Sequence, residues 1–209
     1  MRIVHFADLH LDAPFRRLPP EAGRARRHAL RATLDQILRV AERERADAIF
    51  CGGDLFEHDR LTPDTLNFLR DRFGSAGRPV YVSPGNHDWL AASSPYLTVD
   101  WPANVTIFRE RALSPLELTH GLVLWGAAHQ TPRGTSNLFA GVRGASGATN
   151  LALAHASDRA TLPFQGPDKE GHAPFDAVDL ERAGIAHAFL GHFHTPTEAQ
   201  RHTYPGNPD

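Results

Sequence analysis

The sequence has little of what would define several classes of protein. It contains one cysteine, Cys51, in 209 residues, which excludes an internal disulfide framework. No apolar run approaches the ~20 residues needed to cross a bilayer, and no repeat or low-complexity tract is present. Nothing at the start, Met1–His5, resembles a signal peptide. We therefore expect a protein of the reducing cytoplasm without membrane association.

The sequence also lacks a global excess of either charge. Its formal net charge is -2, so contact with nucleic acid would depend on a local basic patch or on bound metal. One such patch, from Arg16 to Arg31, carries six arginines and one glutamate. It is either the solvated face of a helix or a surface that holds a phosphate backbone. In the second case the contacting side chains would be Arg24, Arg26 and Arg27.

The alternation of elements predicts an α/β fold. With 41% hydrophobic residues, the chain can bury one sizeable core, and we expect residues 1–209 to form a single domain. Apolar patterns predict strands at 3–7, 46–51, 79–82, 151–154 and 186–190, and helices at 24–45, 62–74 and 176–182. Residues 104–108, 116–118 and 122–125 predict a consecutive run of antiparallel strands in a second sheet.

Polar side chains suited to catalysis follow five of these strands. They are Asp8 and His10, Asp54, Asn86 with His87, His155, and His192 with His194. Each has an ordinary explanation when taken alone, because Pro-Gly-Asn is common turn chemistry and a lone buried histidine is usually a core residue. In open α/β sheets, however, ligands bind beyond the carboxyl ends of the strands. The convergence of five strand ends therefore indicates one shared site.

These side chains predict a centre of two divalent metal ions. Two such ions about 3.5 to 4 Å apart clamp the attacking and leaving oxygens of an in-line displacement, and they lower the pKa of bound water towards about 7. Cations so close need a shared anion, and Asp54, on the tight turn after two glycines, is the natural bridge. Nitrogen and oxygen ligands together suit Mn, Fe or Zn better than Mg or Ca. The remaining positive charge favours an anionic substrate.

As a set, these residues resemble the motif of the calcineurin-like metallophosphoesterases. That motif runs D-x-H, G-D, G-N-H-[D/E], H and G-H-x-H, and all five parts occur in order between residues 8 and 194. The resemblance implies a four-layer sandwich of two mixed β-sheets flanked by helices. It implies that one metal is held by Asp8, His10, Asp54 and His194, and the other by Asp54, Asn86, His155 and His192. It also implies that His87 contacts the phosphate as a general acid, with Asp88 orienting it.

Residues 5–12 and 53–56 are most similar to the DNA-repair exonuclease branch of this superfamily, the SbcD-like nucleases. That similarity implies a DNA substrate, two metal ions of which manganese is the first choice, and an SbcC-like ATPase partner. Two features depart from it. Glu57 stands where some of these nucleases carry a functionally important histidine, and the chain stops where a DNA-capping domain would begin. The expected activity is metal-dependent phosphodiester hydrolysis, with DNA as the preferred substrate.

Two other functions stay open. Residues 8–11 and 53–57 also resemble the pyrophosphatases that cleave UDP-diacylglucosamine, so a small-molecule phosphodiesterase or nucleotide pyrophosphatase is the alternative. Those enzymes, however, have arginine where His87 stands. A non-catalytic scaffold is disfavoured, because scaffold members of the family tend to lose ligands or the acid histidine, and none is lost here.

Overall fold

The computed structural model describes residues 1–165 and 170–208. Residues 166–169 and Asp209, which belong to the predicted single domain, lie outside the described residues. Two β-sheets pack face to face, and helices cover their outer faces. This arrangement is the α/β sandwich of two sheets that the sequence predicts.

The first sheet is parallel throughout and has the strand order β1-β2-β3-β4. Its strands are β1 (Ile3–Phe6), β2 (Ala48–Cys51), β3 (Val80–Val82) and β4 (Val105–Ile107). Along β2, Ala48 and Phe50 face the second sheet, whereas Ile49 and Cys51 face the helices. Because strand side chains alternate between faces, this strand is buried on both sides and reads as a continuous apolar run.

The second sheet is mixed and has the strand order β5-β6-β7-β8-β10-β9. Its strands are β5 (Ser114–Thr119), β6 (Leu122–Gly126), β7 (Thr149–His155), β8 (His187–Gly191), β9 (Thr197–Glu198) and β10 (His202–Tyr204). The edge strands β5 and β9 run antiparallel to their neighbours, and the other pairs are parallel. Parallel β7 and β8 therefore bring their carboxyl ends to the same edge.

The helices follow from apolar spacing and capping. α1 (Pro20–Arg43) buries Leu30 and Leu34 one turn apart, and α2 (Pro63–Gly74) is capped by Thr62, whose hydroxyl accepts from the Thr65 amide at 3.2 Å. Two shorter helices are α3 (Pro95–Thr98) and α4 (Ala177–Ala183). Gly184 ends α4 in the left-handed conformation with φ 71°. Within the described ranges, no helix has the length and apolarity to cross a membrane.

Two predictions of local structure need correction. α1 begins four residues before the predicted 24–45 span, with proline at its first position. Residues Val105–Ile107 are not part of an antiparallel run in the second sheet; they form β4, which pairs in parallel with β3. The connection from β3 to β4 is long enough for a parallel crossover, and strand periodicity alone carries no sign of strand direction. The predicted antiparallel hairpin of β5 and β6 is confirmed.

Candidate metal centre

The loops after β1, β2, β3, β7 and β8 meet at one edge of the sandwich. Backbone hydrogen bonds join them: the Asp8 amide donates to the Gly53 carbonyl at 3.0 Å, and the His10 amide donates to the Asp54 carbonyl at 2.9 Å. The His192 amide donates to the Asp8 carboxylate at 3.0 Å. The structure therefore brings all seven predicted metal ligands into one cluster.

Glycine allows the loops to come this close. A methyl group on Gly53 would lie 2.7 Å from the Gly85 amide nitrogen and 2.8 Å from Nδ1 of His155. A methyl group on Gly85 would lie 2.8 Å from the same histidine nitrogen. Since real Cβ contacts are longer than this, glycine is required at both positions.

Four of the predicted ligands have left-handed backbone conformations that are uncommon outside glycine. The φ angles are 56° at Asp8, 49° at His10, 51° at Asp54 and 105° at His192. Such conformations persist only where surrounding structure holds them, and they concentrate at functional sites. Backbone geometry thus singles out the same residues as the sequence motif.

One ligand cluster consists of Asp8, His10 and His194, whose ligand atoms lie within 4.8 Å of one another. The Nδ1–H of His10 donates to Oε1 of Glu57 at 2.9 Å, which leaves Nε2 with the lone pair. That Nε2 lies 3.7 Å from Oδ2 of Asp54, is buried, and makes no hydrogen bond to the described residues. A buried imidazole lone pair between carboxylates fits a divalent cation.

The second cluster consists of Asp8, Asp54 and His155, again within 4.8 Å. Nδ1–H of His155 donates to the Gly52 carbonyl at 2.8 Å, and Nε2 lies 3.0 Å from Oδ1 of Asn86 and 3.3 Å from Oδ2 of Asp54. Three acceptor atoms therefore face one another, and only a cation can reconcile them. Without metal the cation is a proton: burial opposes the charge, but Asp54 raises the pKa of His155 to about 9.

Asp54 lies between the two clusters. Its Oδ2 approaches both His10 and His155, while Oδ1 accepts from the His87 amide at 2.8 Å. Burial would raise the pKa of Asp54, but the charge and hydrogen bond of His155 hold it well below the usual range. An ionised carboxylate in this position suits the predicted bridge, and Asp8 is likewise shared by both clusters.

His192 is held from both ends. Its amide binds the Asp8 carboxylate, and the Nε2–H of its ring donates to the Glu170 carbonyl at 2.7 Å. A bond from His192 to a metal would therefore use Nδ1. The ring stands 5.2 Å from the ring of His155, measured between centroids. The donor set thus fits two divalent ions.

His87 is paired with Glu57. Its side chain is 45% exposed, and its Nδ1–H donates to Oε2 of Glu57 at 3.0 Å. Glu57 thus joins His87 to His10, one carboxylate oxygen for each ring. The hydrogen bond to Glu57 raises the pKa of His87, and burial of Glu57 is outweighed by both histidines, which lower its pKa to about 2. His87 can therefore carry a proton on Nε2 towards a substrate.

The prediction that Asp88 orients His87 is wrong in its geometry. The hydrogen bond to the His87 ring comes from Glu57, whereas the carboxylate of Asp88 is buried beneath the loops. It accepts hydrogen bonds from the amides of Asp54, Leu55 and Gly85 and from the hydroxyl of Tyr96. Asp88 therefore ties the β2 and β3 loops together.

Sequence reasoning also missed His129. It is buried, and its Nε2–H donates to the carbonyl of His155 at 2.7 Å while Nδ1 accepts from the hydroxyl of Thr135 at 3.0 Å. Burial lowers the pKa of His129 to about 4, so the ring is neutral at pH 7. No motif marks this residue, because it comes from the long segment after β6 and acts only through the backbone of His155.

Two openings flank the site. A wide cleft of about 550 Å³ is bordered by residues that include Asn86, Trp89 and His192. A small cavity of about 250 Å³ is bordered by residues that include Phe15 and Leu30. Glu57 and His87 border both, so they stand between the two openings.

The predicted arginines lie beside the small cavity. The guanidinium carbon of Arg26 lies 5.9 Å from the centre of the Phe15 ring. Gly23, on the same turn of α1, packs near both Arg27 and Phe15. Arg24 and Arg26 are exposed and Arg27 is half-buried. The start of α1 thus carries positive charge to the rim of the site.

Comparison with known proteins agrees with this geometry. The profile of the calcineurin-like phosphoesterase family, Metallophos, matches residues 1–196. The chain is 31% identical over 225 residues to the uncharacterized metallophosphoesterase YhaO of Bacillus subtilis, which covers 99% of this chain and 53% of that protein. It is 34% identical over 105 residues to the SbcD component of the SbcCD nuclease of Bacillus subtilis, covering 46% of this chain and 25% of that one.

The corresponding nuclease component of Escherichia coli K12 is 29% identical over 153 residues, covering 69% of this chain and 36% of that protein. The chain thus spans about half, or less, of the length of these relatives. Among solved structures, TT1561 of Thermus thermophilus superposes with a TM-score of 0.54 at 12% identity, covering 99% of this chain and 90% of that one. At that identity the likeness concerns the fold alone.

Proposed function

Because the chain belongs to the calcineurin-like phosphoesterase family, a family of metal-dependent hydrolases of phosphoric esters, we propose that it hydrolyses phosphodiester bonds in DNA. The observation that carries the diester part is the pair of openings that meet at His87 and Glu57. A phosphorus atom at the metal site has space on both sides, as a phosphate with two ester substituents requires. A monoester would need one opening only.

The proposed metal ligands divide as the two clusters suggest. One ion would be held by Asp8, His10, Asp54 and His194, and the other by Asp54, Asn86, His155 and His192. When bound, two divalent ions would supply positive charge to the phosphate and a water of lowered pKa. We propose manganese, with iron or zinc as alternatives, because imidazole and carboxylate donors are mixed.

The protein's own residues would do the rest. Glu57 fixes the tautomer of His87, so that Nε2 holds a proton for the oxygen that leaves phosphorus. The backbone bonds of Asp8, His10 and His192 fix their side chains before substrate arrives. His87 then supplies the proton that an alkoxide needs.

Two observations support DNA as the substrate. Arg24, Arg26 and Arg27 carry charge to the rim of the site, where a phosphate backbone would pass. The chain is also related to the SbcD component of the SbcCD nuclease. An ATPase partner of the SbcC type belongs to the same proposal and rests on that relation alone.

One observation favours a second candidate, a small-molecule phosphodiesterase or pyrophosphatase. The wall of the small cavity is partly apolar, with Leu9, Phe15 and Leu30, and it would accept a compact aromatic or apolar substituent. Such a wall offers nothing to a second stretch of charged backbone.

The test compares substrates under one set of conditions. Single-stranded DNA, duplex DNA, bis(p-nitrophenyl) phosphate and a UDP-sugar are incubated with Mn²⁺ or with chelator, using Asp54→Asn as the inactive control. We expect Mn²⁺-dependent cleavage of DNA. Cleavage of the UDP-sugar without cleavage of DNA would overturn the proposal in favour of the second candidate.

The role of His87 has its own test. His87→Ala should slow DNA cleavage far more than cleavage of bis(p-nitrophenyl) phosphate, because p-nitrophenolate leaves without a proton. His120→Ala, at an exposed position between β5 and β6, is the matched control. Equal losses on both substrates would contradict a general acid.

A further inference from the structure

Trp89 lies on the loop that carries Asn86 and His87. Its indole stacks on the ring of His58, with centroids 4.2 Å apart and an angle of 26° between the planes. The amide of His58 donates to the carbonyl of His87 at 2.9 Å, so the segments 57–59 and 87–89 run side by side. The indole is therefore held in a fixed orientation next to the His87 position.

The indole borders the wide cleft together with His87 and His192. Among the described residues, the three hydrophobic clusters of the core do not include Trp89, although they include Trp101 and Trp125. Its partner His58 has a buried Nδ1, which places the imidazole on the protein side. A large aromatic ring held at a cleft wall, and outside the core clusters, is suited to contact with a ligand.

The chemistry of the cleft points to a nucleobase. Sugar-phosphate anchored at the metal site would place its neighbouring base in this cleft, and aromatic side chains bind bases of any sequence by stacking. Arg133, also on the cleft wall, is 80% exposed and supplies positive charge near the same space. The other cavity at the site has its own ring, Phe15, so planar groups can be received on both sides.

We propose that Trp89, backed by His58, is the stacking platform for an unpaired base next to the cleaved phosphate, so that the site selects single-stranded or frayed DNA. A base in a duplex is already stacked and paired, and it must leave the helix to reach the indole. This inference rests on the proposed action on DNA and adds a preference for unpaired strands.

Binding tests it without catalysis. In a Trp101→Phe, Trp125→Phe background, Trp89 is the sole tryptophan of the chain. Its fluorescence is titrated in chelator with a single-stranded oligonucleotide and with an abasic oligonucleotide of equal charge. We expect quenching by the first and little by the second. Equal quenching by both would overturn the proposal.

Variants of Trp89 give the magnitude. In the natural background, Trp89→Leu should weaken binding of the single strand by about 5- to 100-fold while leaving abasic binding unchanged, since one stacked base is lost. Trp89→Phe should retain most of the affinity. Trp125→Phe, which alters a different cavity, is the matched control. A Leu variant with unchanged discrimination between base and abasic strands would contradict the platform.

The two proposals fail in different ways. If the protein cleaves no DNA but nucleotides still quench Trp89, the action on DNA is wrong and the platform serves a nucleotide. If DNA is cleaved and Trp89→Leu cleaves single strands as well as the unaltered protein does, only the platform is wrong.

Discussion

Asp88 offers the sharpest distinction between a structural and a catalytic role. Its Oδ1 accepts from the amides of Asp54 at 3.1 Å and Gly85 at 2.6 Å, and its Oδ2 accepts from the amide of Leu55 at 2.9 Å and the hydroxyl of Tyr96 at 2.7 Å. In Asp88→Asn, one oxygen becomes an NH₂ group. The least costly orientation places that group at Oδ2, because the Tyr96 hydroxyl can rotate and accept from it.

One buried amide, that of Leu55, then loses its acceptor, at about 1–3 kcal/mol, and the other bonds lose the carboxylate charge that strengthens them. Burial and the nearby charge of Asp54 raise the pKa of Asp88, so a neutral side chain also removes a repulsion. We therefore expect a net loss of about 1–3 kcal/mol in the free energy of unfolding. Tyr96→Phe removes one bond and should cost less.

Urea denaturation in chelator measures this loss without a contribution from metal. The two variants and the unaltered protein are compared, and phosphodiesterase activity is measured beside them. If Asp88→Asn unfolds at the same urea concentration and with the same slope, yet loses most of its activity, then Asp88 acts on His87 and the structural assignment is refuted.

Four further results are expected. Glu57→Gln should weaken Mn²⁺ binding, measured by calorimetric titration, by about 10- to 100-fold, because it supports a ligand histidine; unchanged affinity would refute this. Chelator should lower the melting temperature, since metal binds only the native state, and an unaltered temperature would contradict the site. Replacing Arg24, Arg26 and Arg27 by alanine should flatten the salt dependence of DNA binding by about 0.7 to 0.9 per phosphate contact, whereas Arg39→Ala, elsewhere on α1, should not. Burial holds the pKa of His5 at about 3 against 6.5 when exposed, so the unfolded chain takes up the proton first and stability falls as pH drops below about 6.5; His5→Phe should show a shallower fall in urea titrations at pH 7 and pH 5.

The residues at strand ends could be predicted because their position depends on local sequence. An apolar run followed at once by Asp8 or Asp54 fixes where the side chain emerges, and parallel strands bring such ends to one edge. Glu57 could not be assigned in the same way. Its partners, His10 and His87, lie 47 and 30 residues away in the chain, and only the packed loops bring them together.

Adjacency in sequence misled the assignment of Asp88. His87 and Asp88 are neighbours, yet the first is 45% exposed and the second is buried, because the loop turns between them. Asp88 meets three amides that converge beneath the loop, and a carboxylate satisfies such a cluster better than any neutral group. A chain neighbour is therefore a poor guide to a hydrogen-bond partner wherever the backbone is not extended.

The left-handed conformations of Asp8, His10, Asp54 and His192 lead to a further consequence. Each costs about 1–3 kcal/mol for a residue other than glycine, and the cost is met by the bonds that join the loops, such as those from the amides of Asp8 and His10. These bonds form only in the folded state, so the ligand atoms are positioned by the sheets before any cation is present. Metal binding then needs little rearrangement of the loops. We therefore expect the backbone of this site to be protected from hydrogen exchange in chelator nearly as well as in Mn²⁺. Rapid exchange at Asp8 and His10 in chelator would mean that the metal, and not the fold, creates the site.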